Sequence, residues 1–424
     1  MDRLGASSIQ RGRPYLLFVF ALAVVGCSGG PAEGDRDAGR ADLGADSPGD
    51  GGVDNREVDA GTPDGGGSGC TPEPGLGLND VSFLFPLPPS ASENLLLPVT
   101  ASGARGVLLP ERVRTDLPPS LILSGTPVPP SSAFVVAARV DPCFRVGEGP
   151  CRKQIRLVAQ PLAASGEGAL DATVHLFYDL PDGDFSQVRD ELLALKRIAG
   201  DETRCAPLGV HPVMKREGLA GPFAVRLKAL ILRFCGEQTL SQVAVMTFSG
   251  QIPFWSFRAL DVAGGLTPVA IPRTQGATHQ DFAARSGPVG GPPRYGTLQP
   301  EPIRSKIPVL LDYQAIRDQP EPVIRQAVDE SWALEDPKRE SAGTADCLSC
   351  HLAGRARELA LEDRGVSADP TDSAYRNPRH DLSLLPDGAG VQSQRAFGYV
   401  PTGPSITQRV INESAEAADA LNGM

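Results

Sequence analysis

AFVVAARV at residues 133–140, QIRLVAQ at 154–160 and ATVHLFY at 172–178 are short runs rich in β-branched and aromatic residues, bounded by Pro, Gly and Asp. Side chains of that shape favour a pleated, half-buried surface, so each run reads as a strand. VSFLF at 81–85 and the stretches 242–248 and 254–260 extend the pattern. One helix interrupts it. Asp184 can cap, Val188, Leu192, Leu195 and Ile198 recur at helical spacing, and Gly200 can close the last turn. Residues 223–234, followed by Gly236, fit a helix better than a strand. Many short strands with few helices predict a strand-rich, sandwich-like α+β domain over residues 70–290.

After Pro292, Pro293, Pro300 and Pro302 the pattern changes. Residues 323–334, 352–361 and 406–421 all carry apolar side chains at helical spacing, the last with Ser405 as its cap. A small, mostly helical C-terminal domain is therefore expected over residues 291–424. Some 350 residues follow Cys70, roughly enough for two domains.

The N-terminus has a different character. Arg3, Arg11 and Arg13 precede YLLFVFALAVV at 15–25. This apolar run is shorter than the ~20 residues a membrane-spanning helix needs, but it fits the h-region of a signal peptide. Val24-Val25-Gly26-Cys27 closes it and resembles the lipobox of bacterial lipoproteins. The resemblance implies a signal peptide over 1–26 and lipidation of Cys27. It also implies an exported chain tethered to the cell envelope, at the outer membrane or the periplasmic face, with Ser28 favouring the former.

Residues 27–69 hold no aromatic residue and few aliphatics, so they bury too little apolar surface to offset the entropy of ordering. A disordered tether is expected. It carries ten acids against three arginines, which accounts for most of the net charge of -11. A chain with no basic cluster lacks the electrostatic footprint of nucleic-acid binding, so nucleic acid is excluded as a partner. No DxDxDG spacing with a closing Glu supports a calcium loop.

Chemistry is concentrated in Cys347-Leu348-Ser349-Cys350-His351. CxxCH is the attachment signature of c-type haem: two thiols form thioethers with the porphyrin vinyls and the adjacent imidazole ligates iron. One covalent haem c is expected on Cys347, Cys350 and His351. The last hundred residues or so, with a helix before the motif and a terminal helix after it, resemble the small cytochrome c fold. That family uses a methionine after the motif as its second axial ligand. Here only Met424 follows, so His380 is the first candidate for the distal position. Met214, Met246, His175, His211 and His279 are alternatives from the preceding region. Arg355, Arg357, Arg376 and Arg379 are candidates for pairing with the haem carboxylates.

Of the remaining cysteines, Cys143 and Cys151 bracket a Gly/Pro turn and are placed to pair. Cys205 and Cys235 flank the second helix and form a second candidate pair, leaving Cys70 over or able to replace a member of either. Disulfides fit an exported chain. Together these features point to a membrane-anchored, monohaem, cytochrome-like electron carrier serving a redox partner protein, more an electron carrier than an enzyme. One alternative is a peroxidase-like haem enzyme with an open distal site. Another is a non-haem surface lipoprotein, in which Cys347 and Cys350 form a disulfide or join His351 and His380 on zinc. No GxSxG, HExxH or GxxxxGK[ST] supports hydrolysis or phosphate binding.

Overall fold

Nine strands form one antiparallel sheet, seen in a computed structural model that describes residues 75–145, 149–250, 253–262, 265–286, 293–341, 343–384 and 395–424. The expected signal peptide and tether, with Cys27 and Cys70, lie outside the described residues. The strands are β1 (Ser82–Leu84), β2 (Ala133–Phe144), β3 (Arg152–Pro161), β4 (Thr173–Asp179), β5 (Leu240–Ser249), β6 (Phe254–Asp261), β7 (Thr267–Pro268), β8 (His279–Ser286) and β9 (Pro293–Gln299). Their order is β1-β2-β3-β4-β5-β6-β8-β9, with the two-residue β7 paired to β6. Each expected strand is present. A separate hairpin, β10 (Phe397–Val400) with β11 (Gly403–Ile406), follows near the C-terminus.

Among the described residues five helices are longer than twelve residues: α1 (Asp182–Ala199), α2 (Pro222–Phe234), α3 (Glu321–Leu334), α4 (Cys347–Arg364) and α5 (Gln408–Asn422). Gly200 closes α1 with a φ of 61°, a conformation that glycine adopts without steric cost. Its N-cap is Pro181 rather than Asp184, which lies in the first turn and pairs with Arg105. In α5 the cap is Thr407, because Ser405 belongs to β11 and donates to the carbonyl of Arg395. Among the described residues no helix is long and apolar enough to cross a membrane.

Alternation along the central strands divides their side chains between two faces. Leu157, Leu176 and Val243, aligned across β3, β4 and β5, are fully buried on one face. On that side Phe185 of α1 lies beneath Lys153 of β3, and α1 packs against α2. On the other face stand Arg156, Val158, His175, Phe177, Ala244 and Met246, covered by α4 and α5. The sandwich-like expectation is thereby corrected: among the described residues one large sheet is layered between helices, and the sheet element that packs on it is only the two-stranded β10–β11 hairpin.

The expected division at residue 290 does not separate two cores. Strands β8 and β9 straddle it as one hairpin of the sheet. One apolar cluster takes residues from Leu76 to Leu421, and a second takes residues from Met246 to Val366. The C-terminal helix returns to the beginning of the chain. Ser414 shares a hydrogen bond with Ser82 of β1 at 2.7 Å, and Asn422 Oδ1 accepts from the backbone of Leu76 at 2.8 Å.

Cys143 and Cys151 are bonded across the β2–β3 turn, as expected. The Cys205–Cys235 staple is not formed. Cys205 is disulfide-bonded, but Cys235 is a free thiol with no exposed surface, packed in the core just past α2 as a small hydrophobe. Burial holds its pKa well above the ordinary thiol value.

Candidate functional site

CxxCH forms the first turn of α4. Asp346 is the N-cap, and its Oδ2 accepts from the backbone N–H of Ser349 at 3.0 Å, satisfying a donor that has no partner within the helix. The same oxygen accepts from Gln280 Nε2 at 2.7 Å, while Gln280 Oε1 accepts from the backbone N–H of Leu348 at 3.0 Å. Gln280 is fully buried in β8. This two-way clamp ties the start of the helix to the sheet and sets which way the motif faces.

Within that turn Leu348 and Ser349 are fully buried, whereas Cys347, Cys350 and His351 keep partial exposure. Positions i, i+3 and i+4 share one side of a helix, so the three chemically active groups face together. They face a cavity of about 390 Å³, whose apolar walls include Phe177, Phe257, Val269 and Ile271. The Phe257 ring meets His351 edge-on, with centroids 5.0 Å apart. Opposite the motif, the sheet contributes His175 and Met246. A second cavity of about 170 Å³ shares His175, Phe177, Cys350, His351, Arg409 and Glu413 with the first. The larger of the two is within the size of small-molecule and cofactor pockets, roughly 300–1,000 Å³.

Burial shifts both thiols and His175. The thiols of Cys347 and Cys350 are both pushed up to about 12 by desolvation. They stay protonated at neutral pH and are not bonded to one another. His175 is lowered to about 3, first by desolvation and then by His351 across the cavity. Its imidazole is therefore neutral and keeps a free lone pair.

A charged cluster adjoins the cavity. Glu413 of α5 pairs with Arg139 of β2 and with Arg409, the latter at 2.7 Å, and Arg156 of β3 reaches Asp141 at 2.7 Å. Burial alone would raise the Glu413 carboxyl, yet Arg139, Arg409 and Arg156 hold it well below the usual carboxylate range. Arg156 is lowered to about 10 by burial and by Arg139. Three guanidiniums face two carboxylates, and Arg139 Nε is buried without a hydrogen-bond partner. The cluster thus carries a surplus positive charge beside apolar walls.

No protein-family model, curated protein or solved structure matches this chain.

The other residues singled out in the sequence sit elsewhere. His380 Nε2 lies 3.0 Å from Asp419 Oδ1, near the far end of α5. Arg409, on the cavity, is ten positions earlier, about 15 Å along a helix rising 1.5 Å per residue. The expectation that His380 crosses to the motif is therefore corrected: chain length permits it, but Asp419 holds the ring away. The four-ligand zinc arrangement loses its second histidine for the same reason, and among the described residues no three His, Cys, Asp or Glu side chains converge on a metal position. His211 is buried in the core, its ring 4.2 Å from that of Phe223, and Met214 is fully buried. His279 precedes Gln280 in β8 and so points to the opposite side of that strand.

The arginines flanking the motif are also engaged elsewhere. Arg355 pairs with Glu358 and Glu362, Arg357 with the buried Glu335, and Arg379 with Asp419. The guanidiniums that reach the cavities are Arg139, Arg156 and Arg409, from strands and a helix distant in sequence. Alternation carries a signal for two of them: Arg139 and Arg156 are register partners, and Arg156 is the partner of Phe177, two positions from His175. Three polar residues on one face of adjacent strands mark that face as more than core.

The residues present fit a covalent porphyrin. Two thiols and an imidazole share one wall, an uncharged imidazole lines the same cavity, the remaining lining is largely apolar, and surplus guanidinium charge that could pair with acidic substituents adjoins it.

Proposed function

We propose that this chain is an exported, lipid-anchored protein that carries one covalent c-type haem and passes single electrons to a partner protein. The observation that supports it most is the common orientation of Cys347, Cys350 and His351 into an apolar cavity. Cys347 and Cys350 would hold the porphyrin edge through thioethers, His351 would ligate the iron, and Arg139, Arg156 and Arg409 would face the carboxylates. When bound, the group supplies a reversible one-electron couple. The protein's part is positioning. Gln280 and Asp346 fix the motif, Phe257 restrains the His351 ring, and Phe177, Val269 and Ile271 keep the pocket dry. Lipid on Cys27 would keep the carrier at the envelope, with residues 27–69 as its leash.

The test is a haem stain under denaturing conditions, with reduced and oxidised visible spectra, on the full chain matured in a host that attaches c-type haem. The wild type should stain and show a c-type spectrum. The double variant Cys347→Ala/Cys350→Ala should lose the stain completely. A wild type that never stains would falsify the proposal.

A further inference from the structure

We propose that the His175 imidazole, standing in the middle of the sheet, is the second axial ligand of the iron, an inference that rests on the haem reading above. Three observations carry it. His175 lines both cavities that Cys350 and His351 line, whereas Met246 lines only the larger. Among the described residues its ring has no hydrogen-bond partner, only a stacking contact with Phe177 at 6.4 Å. A partly buried imidazole left without a partner has its ligating nitrogens free for something that enters the cavity.

The third observation is rigidity. His175 sits on β4, paired with Val158 of β3 on one side and Ala244 of β5 on the other. Its backbone is held by ladders on both sides, and its cross-strand neighbours are small and apolar, leaving the space above the sheet open. A ligand on such a strand is placed more firmly than one on the segment after the motif. The pocket is thus closed by two parts of the chain some 175 residues apart: α4 supplies the attachment wall and the sheet supplies the opposing ligand.

The test uses the full chain matured with haem, in wild type and in His175→Gly, His175→Leu, Met246→Ala and His380→Ala, each checked by intact mass for the attached tetrapyrrole. Wild type, Met246→Ala and His380→Ala should be low-spin, six-coordinate and inert to carbon monoxide. Both His175 variants should lose the low-spin signature and bind carbon monoxide, and imidazole added to His175→Gly should restore the wild-type spectrum. If the His175 variants carry haem and keep the wild-type spectrum, or if Met246→Ala or His380→Ala loses it instead, the inference is wrong while the haem reading stands. A wild type without the tetrapyrrole overturns both.

Discussion

The two faces of β3, β4 and β5 are built from residues one position apart, yet one face is closed and the other holds a cavity. On the closed face Leu157, Leu176 and Val243 form an apolar row. On the open face the same strands show Arg156, His175 and Phe177, with Ala244 and Met246 beside them. The strand period of two lets a single segment serve stability with one set of alternate positions and chemistry with the other. The difference teaches where tolerance should lie: changes on the closed face should move stability without moving the cofactor, whereas changes around the cavity on the open face should move the cofactor.

The largest effect on stability should come from the charged rim of the open face. Glu413→Gln leaves Arg139, Arg156 and Arg409 with too little negative charge and should cost about 3–5 kcal/mol, read from the midpoint of denaturant unfolding. Because the folded carboxyl titrates below its unfolded value of about 4.3, its stabilising contribution is complete above that pH and is lost as pH falls toward the folded value. Stability of the wild type should therefore drop more steeply below about pH 4 than that of Glu413→Gln. Equal slopes would remove Glu413 from the account.

Leu176→Ala, on the closed face, should cost about 2–4 kcal/mol through lost burial and the cavity left behind, with an unchanged visible spectrum. A spectrum that shifted would show that the two faces are coupled and break the comparison. Removing the Cys143–Cys151 bridge should cost about 2–3 kcal/mol in the chain-entropy treatment of a short loop. It too should leave the spectrum alone, although Cys143 lies beside the charged rim. His380→Ala should have the smallest effect, about 1 kcal/mol from the contact with Asp419 and no spectral change. Loss of the low-spin signature there would return the distal role to His380.

Much of the local structure is legible in the sequence, because strands and helices follow short-range periodicity. ATVHLFY and QIRLVAQ become strands, and the stretch after Gly221 becomes a helix. The motif itself is legible as chemistry, since two thiols and an imidazole at that spacing serve few other purposes. What the sequence does not disclose is long-range assembly. The proline-marked boundary near residue 290 falls inside the β8–β9 hairpin, and α5 packs back on β2, contacts that local periodicity cannot register. His380 looked eligible because loop length alone places few limits on where a side chain goes. His175 is only one of five alternatives in the sequence, although Thr173, His175 and Phe177 already form the mixed face opposite Val174, Leu176 and Tyr178. Cys235 shows the same limit: flanking a helix does not tell which way a thiol points.

Intact mass of the full chain, matured in a haem-attaching host and followed by peptide mapping, bears most directly on the central claim. One tetrapyrrole added to the peptide that holds Cys347 and Cys350 is the predicted result. Polypeptide and acyl chains alone, with both thiols free to alkylation, would contradict it.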